Sequence, residues 1–111
     1  MTIEYKDFEK VEIRVGKIIE VEDFKEARNP SYKLKIDFGK FGIKKSAAQI
    51  TKNYTKEQLR GRLVISTINF KPKQIANLMS EALVMGVDDK NGNVTLLQSD
   101  SKAVEVGSRI Y

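Results

Sequence analysis

The sequence predicts an all-β fold: a small five-stranded β-barrel with short helices, built as one domain over residues 1–111. Three observations carry this reading. Short segments of strict apolar–polar alternation recur along the chain, the pattern of strands with one buried face. Glycine- or asparagine-centred turn signals separate them, and only two stretches suggest helix. At 111 residues and 41% apolar composition, the chain has enough apolar surface for one core and is too short for two.

Tyr5 to Lys10 reads as a short helix with Tyr5, Phe8 and Val11 along one side. Val11, Ile13 and Val15 then alternate with Glu12 and Arg14. At Gly16 the apolar set changes phase to Ile19 and Val21, with Ile18 on the other face, so a bulge or bend is expected at the glycine. After the turn-rich Arg28–Ser31, a second strand runs from Tyr32 to Phe38, with Leu34, Ile36 and Phe38 inward and Lys33, Lys35 and Asp37 outward. Gly39 to Gly42 makes the connection to a third strand, from Ile43 to about Ile50, whose Ser46, Ala47 and Ala48 permit close approach. Thr55 and Gln58 form a capping box and Gly61 a stop, which places a one-turn helix before a fourth strand, Leu63 to Asn69. A loop through Pro72 follows. Glu81 to Val87 reads as strand five, and Asn91-Gly92 turns the chain into a hairpin with Val94 to Gln98. The apolar tail (Val104, Val106, Ile110, Tyr111) covers either its own barrel or a second copy. Strands in this order, with a bent first strand and a helix after the third, match the Greek-key barrel that binds oligonucleotides.

Composition narrows the chemistry. The chain has no cysteine and no histidine, which removes thiol nucleophiles, thiolate metal sites, the commonest neutral-pH base and the commonest transition-metal ligand. No cofactor or metal is expected. Acid clusters at Glu22-Asp23, Glu26 and Asp88-Asp89 fall in turns or edges and read as solvated surface, and no phosphate loop or nucleophile elbow is present, so a binding module is expected rather than an enzyme. No run reaches the ~20 apolar residues of a membrane span, and the acid-bearing N-terminus does not read as a signal peptide; a cytoplasmic location is expected.

Net charge is +5 and unevenly spread. Residues 1–26 carry eight acids and five bases, whereas Lys40 to Lys73 carries nine bases and one acid, Glu57. Gathered on one face, that stretch is the footprint of a polyanion binder; spread out, it is a solvated lysine-rich surface. Within it, Asn69 stands at a strand end, Lys71 and Lys73 flank the rigid Pro72, and Ser80-Glu81 precedes an apolar strand. Lysines beside proline suit phosphates, and Asn69 and Ser80 suit base or ribose hydrogen bonds; locally, Ser80-Glu81 reads better as a loop-closing pair. Phe41, Tyr54 and Phe70 are the candidates for stacking bases, against a reading of each as packing.

The stretch from Asn69 to Gly86 resembles the Asn-x-x-Pro-Lys … Ser-Glu signature of the tRNA-binding domain family. Asp7 to Gly16, Glu26 to Pro30, and Lys33 to Gly39 are similar to that family's earlier motifs. Ser46–Thr51 and Ser80–Gly86 resemble its CsaA branch, stand-alone proteins described as export-related chaperones. The resemblance covers Asp7 to Tyr111. It implies a homodimer whose terminal extensions build the interface, and two alternative partners. Structured RNA, tRNA first, would meet Arg28, Lys33, Lys35, Lys44, Lys45, Asn69, Lys71, Lys73 and Ser80. Unfolded or precursor polypeptides would meet an apolar cleft of Phe70, Met79, Leu83 and Met85. Many members carry glycine where Asn77 stands and glycine-methionine where Ala82-Leu83 stands; the CsaA branch shares the second change, which favours the polypeptide alternative.

Overall fold

The computed structural model describes every residue from Met1 to Tyr111. The elements are α1 (Tyr5–Glu9), β1 (Ile13–Asp23), β2 (Tyr32–Asp37), a 3-10 turn (Gly39–Phe41), β3 (Ile43–Ala48), α2 (Lys56–Leu59), β4 (Leu63–Thr67), β5 (Lys73–Ile75), β6 (Leu78–Ser80), β7 (Leu83–Val84), β8 (Gly86–Asp88) and β9 (Val94–Leu96). Five strands form one antiparallel sheet in the order β3-β2-β1-β4-β7, and β5–β6 and β8–β9 are separate hairpins.

The sheet curls into a nearly closed barrel because β1 is long enough to serve two partners. Its first half pairs with β4 (Ile13 opposite Thr67 through Lys17 opposite Leu63), its second half with β2 (Lys17 opposite Asp37 through Asp23 opposite Tyr32). The tail takes the edge that β2 leaves free: the amides of Gly107 and Ile110 donate to Val15 and Ile13 carbonyls, and the Val15 amide donates to Ser108. On the far side, the chain running from β6 into β7 meets both open edges. β7 pairs with β4, the Glu81 amide donates to the Lys45 carbonyl on β3 at 2.8 Å, and the Ser46 hydroxyl donates to the Ala82 carbonyl at 2.7 Å.

Inside the barrel, Ile18, Leu34, Ile36, Phe38, Leu59 and Val64 form a fully buried core, and α2 plugs one end with Leu59. A second cluster lies outside the barrel wall, where Ile13, Val15 and Ile65 are covered by Phe8 and Val11 from the N-terminus and by Val104 and Ile110 from the tail. Of the two roles open to the tail, covering its own barrel is thus realised by Val104 and Ile110, while Tyr111 stays exposed.

The capping box is formed as expected, Thr55 Oγ1 accepting from the Gln58 amide and Gln58 Oε1 from the Thr55 amide, and Gly61 stops the helix at a φ of 80°. Gly92 closes the β8–β9 turn, also at φ 80°.

Three expectations are corrected. The irregularity in β1 lies between Ile18 and Glu20, not at Gly16. The extra residue resets the alternation, so Val21 points inward as expected but shares that face with Ile18, while Ile19 is exposed. Gly16 serves clearance instead: a Cβ there would lie 2.5 Å from Phe38 Cε1 and 2.6 Å from Ile36 Cγ2. Strand five, expected over Glu81 to Val87, is split, with Leu83–Val84 staying on the barrel and Gly86–Asp88 leaving to pair with β9. The loop after Pro72 is the β5–β6 hairpin, with Ile75 opposite Leu78 around Ala76-Asn77. Ala76 takes a left-handed φ of 50°, which carries no glycine signal in the sequence.

Candidate functional site

The barrel's outer wall over β1, β2 and β3 follows from register. On β2, Leu34 and Ile36 face inward, so Lys33 and Lys35 face out. Lys35 stands between Glu20 on β1 and Lys45 on β3, and Lys33 between Glu22 and Ala47. Both β2 lysines are held by β1 acids, Lys35–Glu20 at 3.1 Å and Lys33–Glu22 at 3.8 Å. Lys45 projects outward beside Lys35 and makes no ion pair. Lys44, its neighbour, stands opposite the buried Ile36 and is half-buried on the inward side. Consecutive strand residues alternate faces, so the expectation that both join one basic face is corrected to Lys45 alone.

The β5–β6 hairpin is fixed to this wall by the residues of the signature. Glu81 reaches back so that its Oε1 accepts from the Lys45 amide at 2.9 Å, beside the 2.8 Å bond from the Glu81 amide to the Lys45 carbonyl. The carboxylate thus takes the place of a strand carbonyl at the seam. Asn69 does the same work at the other root of the hairpin. Its Oδ1 accepts from the Glu12 amide at 2.9 Å and its Nδ2 donates to the Lys10 carbonyl at 2.7 Å, tying the end of β4 to the loop before β1. Ser80 is half-buried and turned toward the Ala82 carbonyl at 3.4 Å, opposite Lys73 across the hairpin. The hairpin therefore carries Lys71 and Lys73, both exposed and free of ion pairs, with its β6 strand between β5 and the β3 strand that carries Lys45. Arg28 lies exposed in the connection between β1 and β2.

The basic stretch from Lys40 to Lys73 does not gather on one face. Lys56 pairs with Asp23 at 3.0 Å, Arg60 sits 3.9 Å from Glu57, Lys40 lies over the Phe41 ring, and Arg62 over Tyr54. Of the stacking candidates, Phe41 is half-buried under Arg14, whose guanidinium is 4.3 Å from the ring centroid, and the Tyr54 hydroxyl accepts from the Leu96 amide. Phe70 remains, 60% exposed at the base of the hairpin. Met79 and Leu83 are also exposed, at 46% and 54%. Met85 is not with them: it packs against the outer cluster, with its sulfur 3.6 Å from Thr67 Oγ1, and its assignment to an apolar cleft is corrected.

Two carboxylates are held below their ordinary range. Glu12 is lowered chiefly by its hydrogen bond from Arg14 (2.7 Å), aided by Arg109 at 3.3 Å, which joins α1, β1 and the tail. Asp89 is lowered by the backbone amide of Asn93, then by the Asn53 side chain and the amide of Asn91, which together close the β8–β9 turn.

Residues 13–109 match the family model described as "Putative tRNA binding domain". Methionine--tRNA ligase of Bdellovibrio bacteriovorus is 38% identical over 108 residues, 97% of this chain. The chain spans only 15% of that relative's length. A solved CsaA chaperone protein from Picrophilus torridus superposes with a TM-score of 0.92 at 52% identity, covering 99% of this chain and 100% of that one. The CsaA chaperone of Bacillus anthracis gives 0.93 at 40% identity, with both chains covered in full.

Proposed function

The chain belongs to the tRNA-binding domain family, and from that premise we propose that it is a non-enzymatic module that binds tRNA or similarly structured RNA through the strip formed by β2, β3 and the β5–β6 hairpin. One observation carries the reading: Lys45 on β3 and Lys71 and Lys73 at the start of the β5–β6 hairpin stand exposed and without acid partners, and Glu81 ties that hairpin to β3. Such cations release phosphate counterions on contact, and holding Lys45 and Lys73 on strands, with Lys71 beside the rigid Pro72, lowers the entropy cost of docking. Lys35 and Lys33 flank the strip, exchanging Glu20 and Glu22 for phosphate as the RNA docks, and Arg28 extends it. Phe70 offers one face for an unpaired base. Asn69 and Ser80 act by holding the hairpin.

The module works as a homodimer in the cytoplasm. The exposed Ile3, Tyr5 and Tyr111 of the termini supply apolar surface for the subunit contact, and pairing doubles the basic strips on one particle. The test is a binding titration of purified chain with total tRNA at rising salt, repeated with Lys71→Glu combined with Lys73→Glu. Affinity falls linearly on a log–log plot and is lost in the double variant; affinity indifferent to salt sinks the proposal.

A second reading has its own observation. Phe70, Met79 and Leu83 expose apolar surface beside the same hairpin, and solved proteins like this one are CsaA chaperones. We propose that extended polypeptide competes for this patch. Aggregation of an unfolded client is then suppressed by the parent and not by Met79→Ser combined with Leu83→Ser; equal suppression by both removes the patch from the account.

A further inference from the structure

A cleft of about 800 Å³ opens on the barrel's outer wall between β1, the turn from α2 into β4, and the tail. Four cations line it, Lys17, Arg60, Arg62 and Lys102, with Gln98 and Ser101 between them, and no carboxylate is among its walls. Arg60 is loosely held, its Nη2 donating to the Val21 carbonyl at 3.4 Å and its Nη1 3.9 Å from Glu57, with both charged side chains about half or more exposed. Arg62 is set in place: its guanidinium lies 4.9 Å from the Tyr54 ring centroid, and Nη2 donates to Gln98 Oε1 at 3.3 Å. Its Nε–H is buried with no acceptor, so folding has desolvated a donor and left it unused. Four like charges around one concavity repel one another, and the arrangement is relieved by an anion with several acceptor oxygens.

We propose that this cleft is a phosphate-binding site, and that in the RNA complex it takes a backbone phosphate beyond the β2–β3–hairpin strip. This rests on the RNA reading for the source of the phosphate, not for the site. The connection is given by register. Lys17 projects outward from β1 opposite Asp37, which lies two residues along β2 from Lys35 on the same face. An RNA strand lying over Lys45 and Lys35 therefore runs toward Lys17 and the cleft mouth. The walls are cationic and polar apart from Leu63, Val104 and Val106, and no aromatic is among them to stack a base, so the site reads phosphate and not bases.

The test uses the full chain in two arms, with Lys17→Gln combined with Lys102→Gln as the variant and Lys90→Gln, on the distant β8–β9 turn, as the control. Both cleft lysines are exposed, so the variant folds. In the first arm, pyrophosphate is titrated while amide resonances are followed; those of Gly61, Ser101 and Lys102 move saturably in the parent and not in the variant. In the second, tRNA affinity drops about tenfold in the variant and the salt slope falls by about two, while the control is unchanged. Movement with pyrophosphate but unaltered tRNA binding overturns the RNA source and leaves a site for free phosphate compounds. If the parent binds no tRNA at all, the RNA reading fails and the pyrophosphate arm alone decides the cleft. No movement with pyrophosphate, together with parent-like tRNA binding by the variant, overturns the proposal.

Discussion

Glu81→Ala removes one side chain from the barrel seam and leaves the backbone bond beside it intact. What is lost is the 2.9 Å bond from the Lys45 amide to Glu81 Oε1. A hydrogen bond to a charged acceptor contributes about 1.5–3 kcal/mol, and the lower end applies because this seam is open to water, which replaces the carboxylate at the Lys45 amide. A loss of about 1.5 kcal/mol, over an unfolding entropy of about 0.23 kcal/mol/K for a chain of this length, lowers Tm by about 6 °C. Thermal unfolding followed by circular dichroism reads the shift, and hydrogen exchange at the Lys45 amide reads its cause. Glu81→Gln, which keeps an uncharged acceptor at the same reach, loses about half as much. The β5–β6 hairpin hangs from this seam, so tRNA affinity falls in Glu81→Ala although no contacting lysine is touched. A Tm like the parent's, with the Lys45 amide equally protected, would refute the claim that this carboxylate closes the barrel.

Three further outcomes are expected. Gly16→Ala drives a methyl to 2.5 Å from the fully buried Phe38 ring, an overpacking that costs about 1–3 kcal/mol and lowers Tm by about 4–13 °C; a gain in Tm would mean that the core has room there. Asp89 is ionised more readily folded than unfolded, so its stabilisation is complete above its ordinary value of 3.8 and is lost as pH falls through the lowered folded value. Tm measured between neutral and acid pH therefore drops steeply at the acid end, and Asp89→Asn starts lower and drops less, with Glu12 supplying the remaining slope by the same sign. Lys45→Glu weakens tRNA binding much more than Lys44→Glu, because the two side chains leave opposite faces of β3; equal losses by titration would dissolve the proposed strip.

The barrel was legible in the sequence where period and turn chemistry agree. Leu34, Ile36 and Phe38 face inward as their alternation demands, and Thr55, Gln58 and Gly61 bound α2 as their types demand. The sequence misleads where one backbone event has no residue signal. Nothing in Ile18-Ile19-Glu20 announces a bulge, and Gly16 draws attention for its flexibility while acting through its lack of a side chain. Likewise, the hairpin at Ala76-Asn77 lacks the glycine that usually marks a two-residue turn. For the site, linear charge density was a poor guide, since pairing with Asp23, Glu20 and Glu22 is decided by segments separated in sequence. The cleft illustrates the same limit: Lys17 and Arg62 meet because β1 pairs with β4, and Lys102 joins them because the tail returns to β1.

The signature that ties the chain to its family has a physical meaning in the fold, and for Glu81 it is the loop-closing role its local reading predicts. Asn69 and Glu81 sit at the two roots of one hairpin, and each spends its side chain on backbone groups of another element, Glu12 and Lys10 for one, Lys45 for the other. Side chains committed in this way position Lys71 and Lys73. On the proposed function, specificity comes from what the hairpin and the outer wall present. Phe70, Met79 and Leu83 are exposed apolar residues, and Lys71 and Lys73 exposed cations, on or next to this one hairpin. On the two proposals above, phosphate and extended polypeptide would meet the same hairpin and compete for it. Saturating tRNA displaces a bound peptide if the hairpin is shared, and peptide binding that persists under saturating tRNA would place the two sites on separate surfaces.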